Sequence, residues 1–404
     1  MKLDRFKEQV AGVISELQHE TGKKVTLVHH DDADGICSGA ITKAALEREG
    51  YRVRTFCLEK AYPEVIQDLH NVRNEIIFYC DIGSSHATFI SEINSGQNLV
   101  IILDHHDPTP ATDIRVHDLN LENFNFHGET DFSGATCCYL FARALNSQNR
   151  DLVYLALVGS CEIPQGFTGL NRQILEEANQ EGIVRPKGKT LEIIRLGVTV
   201  NDLFSILQIL GSVGYYQGGP ELGIRACLDG ITPEIKQLAS QLEERRKQAN
   251  KTLLSRLLRE RLNETEHIQW FDAENTYQGM GTKVIGTFCS FLSYQQRLVN
   301  QQKYLLGFTD IPPEIPGYGK LKERYVKASI RVPKPMQTRI DRGELPSAFE
   351  LLAKASEKFG IADGHAYAAN VVIPHQQKEK LIPNAERILH GEKVETKFRV
   401  TGKT

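Results

Sequence analysis

Residues 25–40 read VTLVHHDDADGICSGA, and the fold of the chain is decided by how this stretch is read. The run VTLV has the apolar, β-branched character of a buried strand. It breaks into His29, His30, Asp31, Asp32, Ala33, Asp34 and Gly35, after which apolar residues resume. Three carboxylates and two imidazoles thus fall within six residues. Like charges this crowded repel one another, so the cluster needs something to neutralise it.

Further apolar runs follow at regular distance. They are RVRTFCL (52–58), EIIFYC (75–80) and NLVIIL (98–103), and between them lie the helical segments ICSGAITKAALEREG, YPEVIQDLHN and HATFISEINSG. This alternation predicts an α/β fold with a doubly wound, mainly parallel sheet. Ligands of such sheets bind just beyond the C-terminal ends of the strands. Strand 25–28 runs into the HHDDADG cluster, strand 75–80 into Asp81, and strand 98–103 into Asp104, His105, His106 and Asp107. Three strands therefore deliver acids and histidines to one edge.

At 404 residues the chain is too long for one ordinary core. The composition, 41% hydrophobic and 25% charged, is that of a globular protein. A net charge of -3 does not advertise a nucleic-acid binder, although a local basic groove is compatible with it. The eight cysteines include no CxxC pair, which argues against a zinc site or a disulfide framework and for free thiols in a reducing, cytoplasmic compartment. The N-terminus carries Leu3, Phe6, Val10, Val13, Ile14 and Leu17 on one helical face and is not a signal peptide. No apolar run is long enough to span a bilayer, so no membrane association is expected.

The expected organisation is a first domain over 1–230, a linker helix over 231–263, a smaller α/β domain over 264–390 and a polar tail over 391–404. The linker helix has a stripe of Ile235, Leu238, Leu242, Ala249, Leu253 and Leu257, and its one proline lies in the first turn. The smaller domain is built from HIQWFDA, TKVIGTFCSFL, QKYLLGFTD, YVKASIRV and AANVVIP.

Carboxylates and imidazoles converging at strand ends suit divalent ions that accept mixed O/N ligands, such as Mn²⁺. Two such ions a few ångströms apart can share a bridging carboxylate and promote in-line phosphoryl displacement. No phosphate-cradling P-loop is present. The bland reading of HHDDADG is a solvated acidic turn, and that of Asp104 and Asp107 a helix N-cap.

The succession HDDADG, CDIGSS, LDHHDP and DGHAYAAN resembles the DHH phosphoesterase superfamily, and within it the archaeal RecJ-like single-strand exonuclease branch. The resemblance extends over roughly residues 20–390. It implies a DHH domain and a DHH-associated C-terminal domain, with one or two Mn²⁺ ions as cofactor and Mg²⁺ as the alternative. It implies that His30, Asp32, Asp34, Asp81 and His105 hold metal, with Asp81 bridging. It further implies that His106 meets the scissile phosphate and that Asp104 orients the histidines. In the second half, Gly364, His365 and Arg331 match substrate-binding positions. The implied partners are single-stranded DNA or RNA and a GINS-type replication complex.

Two departures matter. The fourth motif of the family carries an Asp where this chain has Ile163, in LVGSCEIPQG, with Glu162 one residue early. Glu162 is either a displaced ligand or an ordinary acid. ADGHAYAAN also replaces a more glycine-rich motif, which puts Asp363 near an expected phosphate and Asn370 where a left-handed turn is expected. ADGH alone also fits a β-turn with a solvent-facing His, and Arg331 a strand-surface residue. Besides the exonuclease, two alternatives stay open: a DHH hydrolase of short oligonucleotides or cyclic dinucleotides, and a scaffold with weakened catalysis.

Overall fold

The structure, a computed structural model, describes residues 2–163, 165–356 and 360–391. Of the expected polar tail, residues 392–404 lie outside the described residues. The chain divides into two compact units, one running to Glu243 together with Glu314–Leu321, the other made of Glu244–Pro313 and the chain from Lys322 onward.

The first unit opens with α1 (Lys2–His19), which buries Phe6, Val10, Val13, Ile14 and Leu17. Leu3, in its first turn, is only half-buried. The sheet follows as β1 (Lys24–His30), β2 (Arg52–Leu58), β3 (Ile76–Cys80), β4 (Leu99–Leu103) and β5 (Val116–Asp118), in the order β2-β1-β3-β4-β5. Every neighbouring pair is parallel. β3 and β4 are buried at each position, which is why both read as unbroken apolar runs. The connections are α2 (Ala33–Arg48), α3 (Pro63–His70) and α4 (Ala87–Asn94). The strand order reverses direction between β1 and β3, and a doubly wound sheet opens a ligand crevice at such a switch point.

α2 is buried at every residue from Ala33 to Thr42, because it lies between the sheet and the helices α5 (Gly134–Leu145), α6 (Val153–Gly159) and α9 (Gly219–Asp229). Small residues permit this close seat. A Cβ on Gly39 would stand 2.9 Å from the His29 ring, and one on Gly35 2.5 Å from His30. His29 itself is a core residue, with Nδ1 bonded to the His30 carbonyl at 2.8 Å. Burial pulls its imidazole down to about 4.

The unit is completed by α7 (Gly169–Gln180), a small antiparallel sheet of β6 (Val184–Lys187), β7 (Thr190–Ile193) and β8 (Val198–Thr199), and α8 (Val200–Gln208). Tyr215 and Tyr216 pack rather than present open stacking faces: their hydroxyls donate to the Cys57 carbonyl at 2.7 Å and to Glu59 at 3.0 Å. All eight cysteines are free.

The long helix α10 (Pro233–Glu260) contains the division between the units. Its first half buries Ile235, Ala239 and Leu242. In its second half, Arg245 donates to the Gln278 carbonyl and Asn250 accepts from Tyr277. The division between the compact units thus falls within this helix. The second unit continues with β9 (Asn263–Glu264), β10 (Ile268–Asp272), α11 (Lys283–Leu292) and β11 (Tyr304–Asp310). The short hairpin β12 (Glu314–Ile315) and β13 (Gly319–Lys320) is counted with the first unit, where Tyr318 donates to Asp68 at 2.6 Å. Then follow β14 (Tyr325–Arg331), α12 (Lys334–Asp341), α13 (Ala348–Ser356), β15 (Ile361–Gly364), β16 (Ala368–Pro374) and α14 (Lys378–Leu389). The sheet order is β15-β16-β14-β11-β10-β9, with only β10 and β11 parallel. Leu306, Phe308, Ile330 and Val371 of the strands pack with Leu351 of α13 and Leu381 of α14 in its core. Among the described residues no helix is long and apolar enough to cross a membrane.

Asp118, at the end of β5, offers a test of this packing. Burial raises its carboxyl from 3.8 to about 6, against a 2.8 Å hydrogen bond from the Ser84 hydroxyl. The folded chain therefore holds this proton more tightly than the unfolded one. That stabilisation is complete below 3.8 and is lost as pH rises through about 6. Asp118→Asn cannot ionise. Urea melts at pH 4 and pH 8 are expected to show the variant gaining on the wild type by on the order of 1–3 kcal/mol between the two.

Candidate metal centre

The sequence-predicted residues of the first unit arrive at the C-terminal edge of the sheet from three strands, β1, β3 and β4. His30 ends β1, Asp31 and Asp32 follow it, and Asp34 lies in the first turn of α2. Asp32 caps α2, accepting from Gly35 N–H at 2.9 Å. Asp34 is held from the other side by α5: its carboxylate accepts from Gly134 N–H at 2.9 Å and Ala135 N–H at 2.8 Å. The first amides of a helix are free donors and suit an anion.

Asp81 follows β3 with φ 60°, a left-handed conformation unusual outside glycine. Its N–H donates to the Leu103 carbonyl at 2.8 Å, so the turn is locked to β4. Strain of this kind concentrates where a side chain must be aimed at a site. After β4, Asp104 accepts from Ser84 N–H at 2.9 Å, from His105 N–H at 2.7 Å and from His106 Nδ1 at 2.7 Å. Asp104 is thus not a helix N-cap but the holder of both histidine residues.

Three imidazoles are fixed in one pattern. His30 has Nε2 3.2 Å from Asp31 and Nδ1 2.8 Å from Asp32 and 3.6 Å from Asp81. His105 bonds through Nδ1 to the Gly128 carbonyl at 3.0 Å and turns Nε2 toward Asp81 at 3.3 Å and Asp34 at 3.8 Å. His106 gives Nδ1 to Asp104 and is the most exposed of the three, at 37% of its side chain. In each ring one nitrogen is pinned by an acceptor. In His30 and His105 the other faces the shared acids, which is how metal-ligating histidines are held.

The electrostatics leave the centre short of positive charge. Burial, then the nearby Asp34 and Asp32, pushes Asp81 well above the usual carboxylate range. Burial also raises Asp34, against the opposing charge of His105. Asp104 behaves oppositely. Burial would raise it, but the charge and hydrogen bond of His106, with His105 and the Ser84 amide, hold it below the ordinary range. Burial lowers His105. Asp81 Oδ1 and His30 Nδ1 are buried and, although 3.3 Å from His105 and 2.8 Å from Asp32, make no aligned hydrogen bond. Buried polar atoms in that condition call for an explanation, and an ion is one. Single ligand atoms of His30, Asp32 and Asp81 lie within 4.8 Å of one another, as do those of Asp81, His105 and His106. Asp81 belongs to both sets. The mixed O/N donors fit Mn²⁺, whereas Mg²⁺ prefers oxygen alone.

Glu162 is half-buried in the turn after α6, where its carboxylate accepts from Gln208 Nε2. Ile163, at the fourth-motif position, is buried. In the second unit, Arg331 ends β14, with Nε donating to Ser290 Oγ at 2.7 Å. Gly364 ends β15 with φ 125°, and His365 N–H closes the turn onto the Ala368 carbonyl at 2.8 Å. Arg331 and Gly364 pair with adjacent residues of β16, Ala368 and Ala369. Asn370 does not form the expected left-handed turn. It lies inside β16, accepting from Ser329 Oγ at 2.6 Å, because both its neighbours in the sheet demand extended backbone. Asp363 is close enough to Arg331 for its charge to act on the guanidinium.

Several functional positions are not among the residues the sequence pointed to. Asp31 pins His30, and Gly128 supplies the acceptor for His105. Gly134 and Gly159 make room: a Cβ on either would stand 2.3 Å from an oxygen of Asp81 or Asp34 respectively. The signal for Gly134 is SGAT at the start of a helix, where Ser133 caps α5 by accepting from Thr136 N–H at 3.2 Å.

Residues 24–160 match the DHH family, N-terminal domain. Over 169 residues the chain is 30% identical to an uncharacterized protein of Methanocaldococcus jannaschii, a match spanning 40% of this chain and 38% of that protein's length. A crystal structure of exonuclease RecJ bound to manganese superposes with TM-score 0.61 at 18% identity, covering 94% of both chains. RecJ of Thermus thermophilus in complex with Mn²⁺ superposes with TM-score 0.63 at 18% identity, over 95% of this chain and 55% of that one. Residues 24–160 thus match the DHH family, and the chain as a whole has a RecJ-like fold. More particularly, the sheet edge described above lies in a DHH N-terminal domain, and the chain continues through a second α/β unit.

Gly134→Ala is expected to displace the carboxylate of Asp81 and to weaken Mn²⁺ binding roughly 10–100-fold, as loss of a supporting contact does. Calorimetric Mn²⁺ titration, with a thermal melt to establish folding, checks this.

Proposed function

We propose that this protein is a divalent-metal-dependent phosphodiesterase that degrades single-stranded DNA or RNA from an end. The observation that carries the reading is the sharing of Asp81 between two groups of donors, His30 and Asp32 on one side and His105 with Asp34 on the other. A carboxylate common to two sets is the arrangement a pair of ions requires. Asp34 has its position held by the α5 amides.

Bound Mn²⁺ would supply an activated water and neutralise charge on the phosphoryl oxygens. The remaining work falls to the chain. His106, half-exposed and held through Nδ1 by an ionised Asp104, is set to donate from Nε2 to a phosphoryl oxygen as charge develops. Asp31 and the Gly128 carbonyl keep His30 and His105 in the tautomers that present the other nitrogen. In the second unit, Arg331 and the Gly364–His365 turn would grip a phosphate, with Asp363 tempering the charge of Arg331. The Mn²⁺-bound RecJ structures support the choice of metal and of a nucleic-acid substrate.

A second reading has one observation in its favour. The fourth-motif acid is replaced by buried Ile163, and Glu162 is engaged by Gln208. A weakened centre of this kind would suit a scaffold in a GINS-type replication complex.

End-labelled oligonucleotides of both sugars, with Mn²⁺, test the two. A ladder growing from one end, absent in Asp81→Ala, is expected. His106→Ala should lower kcat roughly 10²–10³-fold, as loss of a preorganised donor does. Turnover confined to dinucleotides would point to the small-substrate hydrolase, and no cleavage of any length would leave the scaffold.

A further inference from the structure

We propose that the second unit carries a separate transition-metal site, formed by Glu266, His267 and His390, that takes a borderline divalent ion such as Zn²⁺ or Co²⁺. Single ligand atoms of these three side chains lie within 4.8 Å of one another. The closer distances are His390 Nε2 to Glu266 at 3.5 Å and His267 Nε2 to Glu266 at 3.9 Å. Bonds of about 2.0 Å at tetrahedral angles place ligand atoms roughly 3.3 Å apart. The gap to that value is small for side chains on the surface, since His390 and Glu266 are 47% and 68% exposed and free to adjust.

What separates this cluster from an ordinary ion pair is the support behind His267. Its Nδ1 lies 2.9 Å from Glu386, which leaves Nε2 facing Glu266. Glu386 is itself anchored: it accepts from the N–H groups of His267 and Ile268 at 2.9 and 3.1 Å, and from the Thr265 hydroxyl. An immobilised carboxylate holding one imidazole nitrogen is the partner a metal-bound histidine uses to fix its tautomer. The second imidazole, His390, stands with its ring centroid 5.0 Å away at 80° to the first.

Two imidazoles and one carboxylate leave a tetrahedral ion one open position, which water would fill. Such donors rank Zn²⁺ and Co²⁺ above Mn²⁺. The ion would join the end of α14 to the entry of β10, since His390 caps α14 and His267 precedes β10. This proposal does not depend on the activity assigned to the first unit.

The test uses the full chain carrying Asp81→Ala and His105→Ala, which cripples the sheet-edge cluster. Co²⁺ titration followed by visible absorption is expected to show one equivalent bound with the intense bands of tetrahedral coordination, displaced by Zn²⁺, and a raised Tm. Adding His390→Ala should remove the bands, with the metal-free Tm unchanged because this residue is exposed at a helix end. Adding Glu386→Gln instead should weaken Co²⁺ binding by roughly tenfold. Should His390→Ala alter the fold, His390→Cys provides the second variant: it keeps a ligand and should restore the bands with added sulfur-to-cobalt charge transfer. Absent bands, millimolar-only binding, or bands that persist in His390→Ala would each overturn the proposal.

Discussion

The constraint on which the structure depends is the burial of several like charges at one sheet edge. Asp31, Asp34, Asp81 and Asp104 are each about 1% exposed, and Asp32 barely more. Charges buried this way are tolerated only when paired or hydrogen-bonded. The fold answers with backbone: α5 turns its first amides to Asp34, α2 gives an amide to Asp32, and the Ser84 amide meets Asp104. Asp81 Oδ1 and Asp31 Oδ2 receive no such donor. That residual frustration is what a bound ion would relieve.

Glycine is the means by which this packing is reached. Gly35 and Gly39 let α2 settle onto the strand that precedes it, and Gly134 and Gly159 let two other helices approach the acids directly. A helix that starts within van der Waals reach of a carboxylate also brings its dipole to bear there. At Gly134, which opens α5, packing and electrostatics thus coincide. Replacing Gly134 or Gly159 would move an oxygen of Asp81 or Asp34 without altering either acid.

The two units handle charge differently. The first concentrates acids where strands end, and its histidines are positioned by Asp31, Asp104 and a carbonyl. The second embeds one guanidinium, Arg331, beside Ser290 and under the influence of Asp363. Its burial pulls Arg331 slightly below the usual value, so the group is less hydrated than a surface arginine and better disposed to meet an anion.

Much of this was legible in residues 25–107. Apolar runs of four to seven residues, spaced by helical segments, determine a parallel sheet because strands buried on both faces cannot alternate. The acids and histidines that end three of those runs had to share an edge, since parallel strands all point the same way. Other features were not legible. Asp31 and Asp32 are adjacent and chemically identical, yet one pins a histidine from outside and the other faces the shared acids, which depends on where α2 begins. Gly128 lies 23 residues from His105 and Gly134 lies 100 from Asp34, and no local pattern marks a backbone group as a partner. Asn370 was read as a turn residue from its type, but two neighbouring strands made it extended. The sequence by itself determined which elements form and which strand ends carry charge, because period and propensity are local. Only the tertiary structure decided which backbone groups neutralise that charge, because those contacts join segments that the chain keeps far apart.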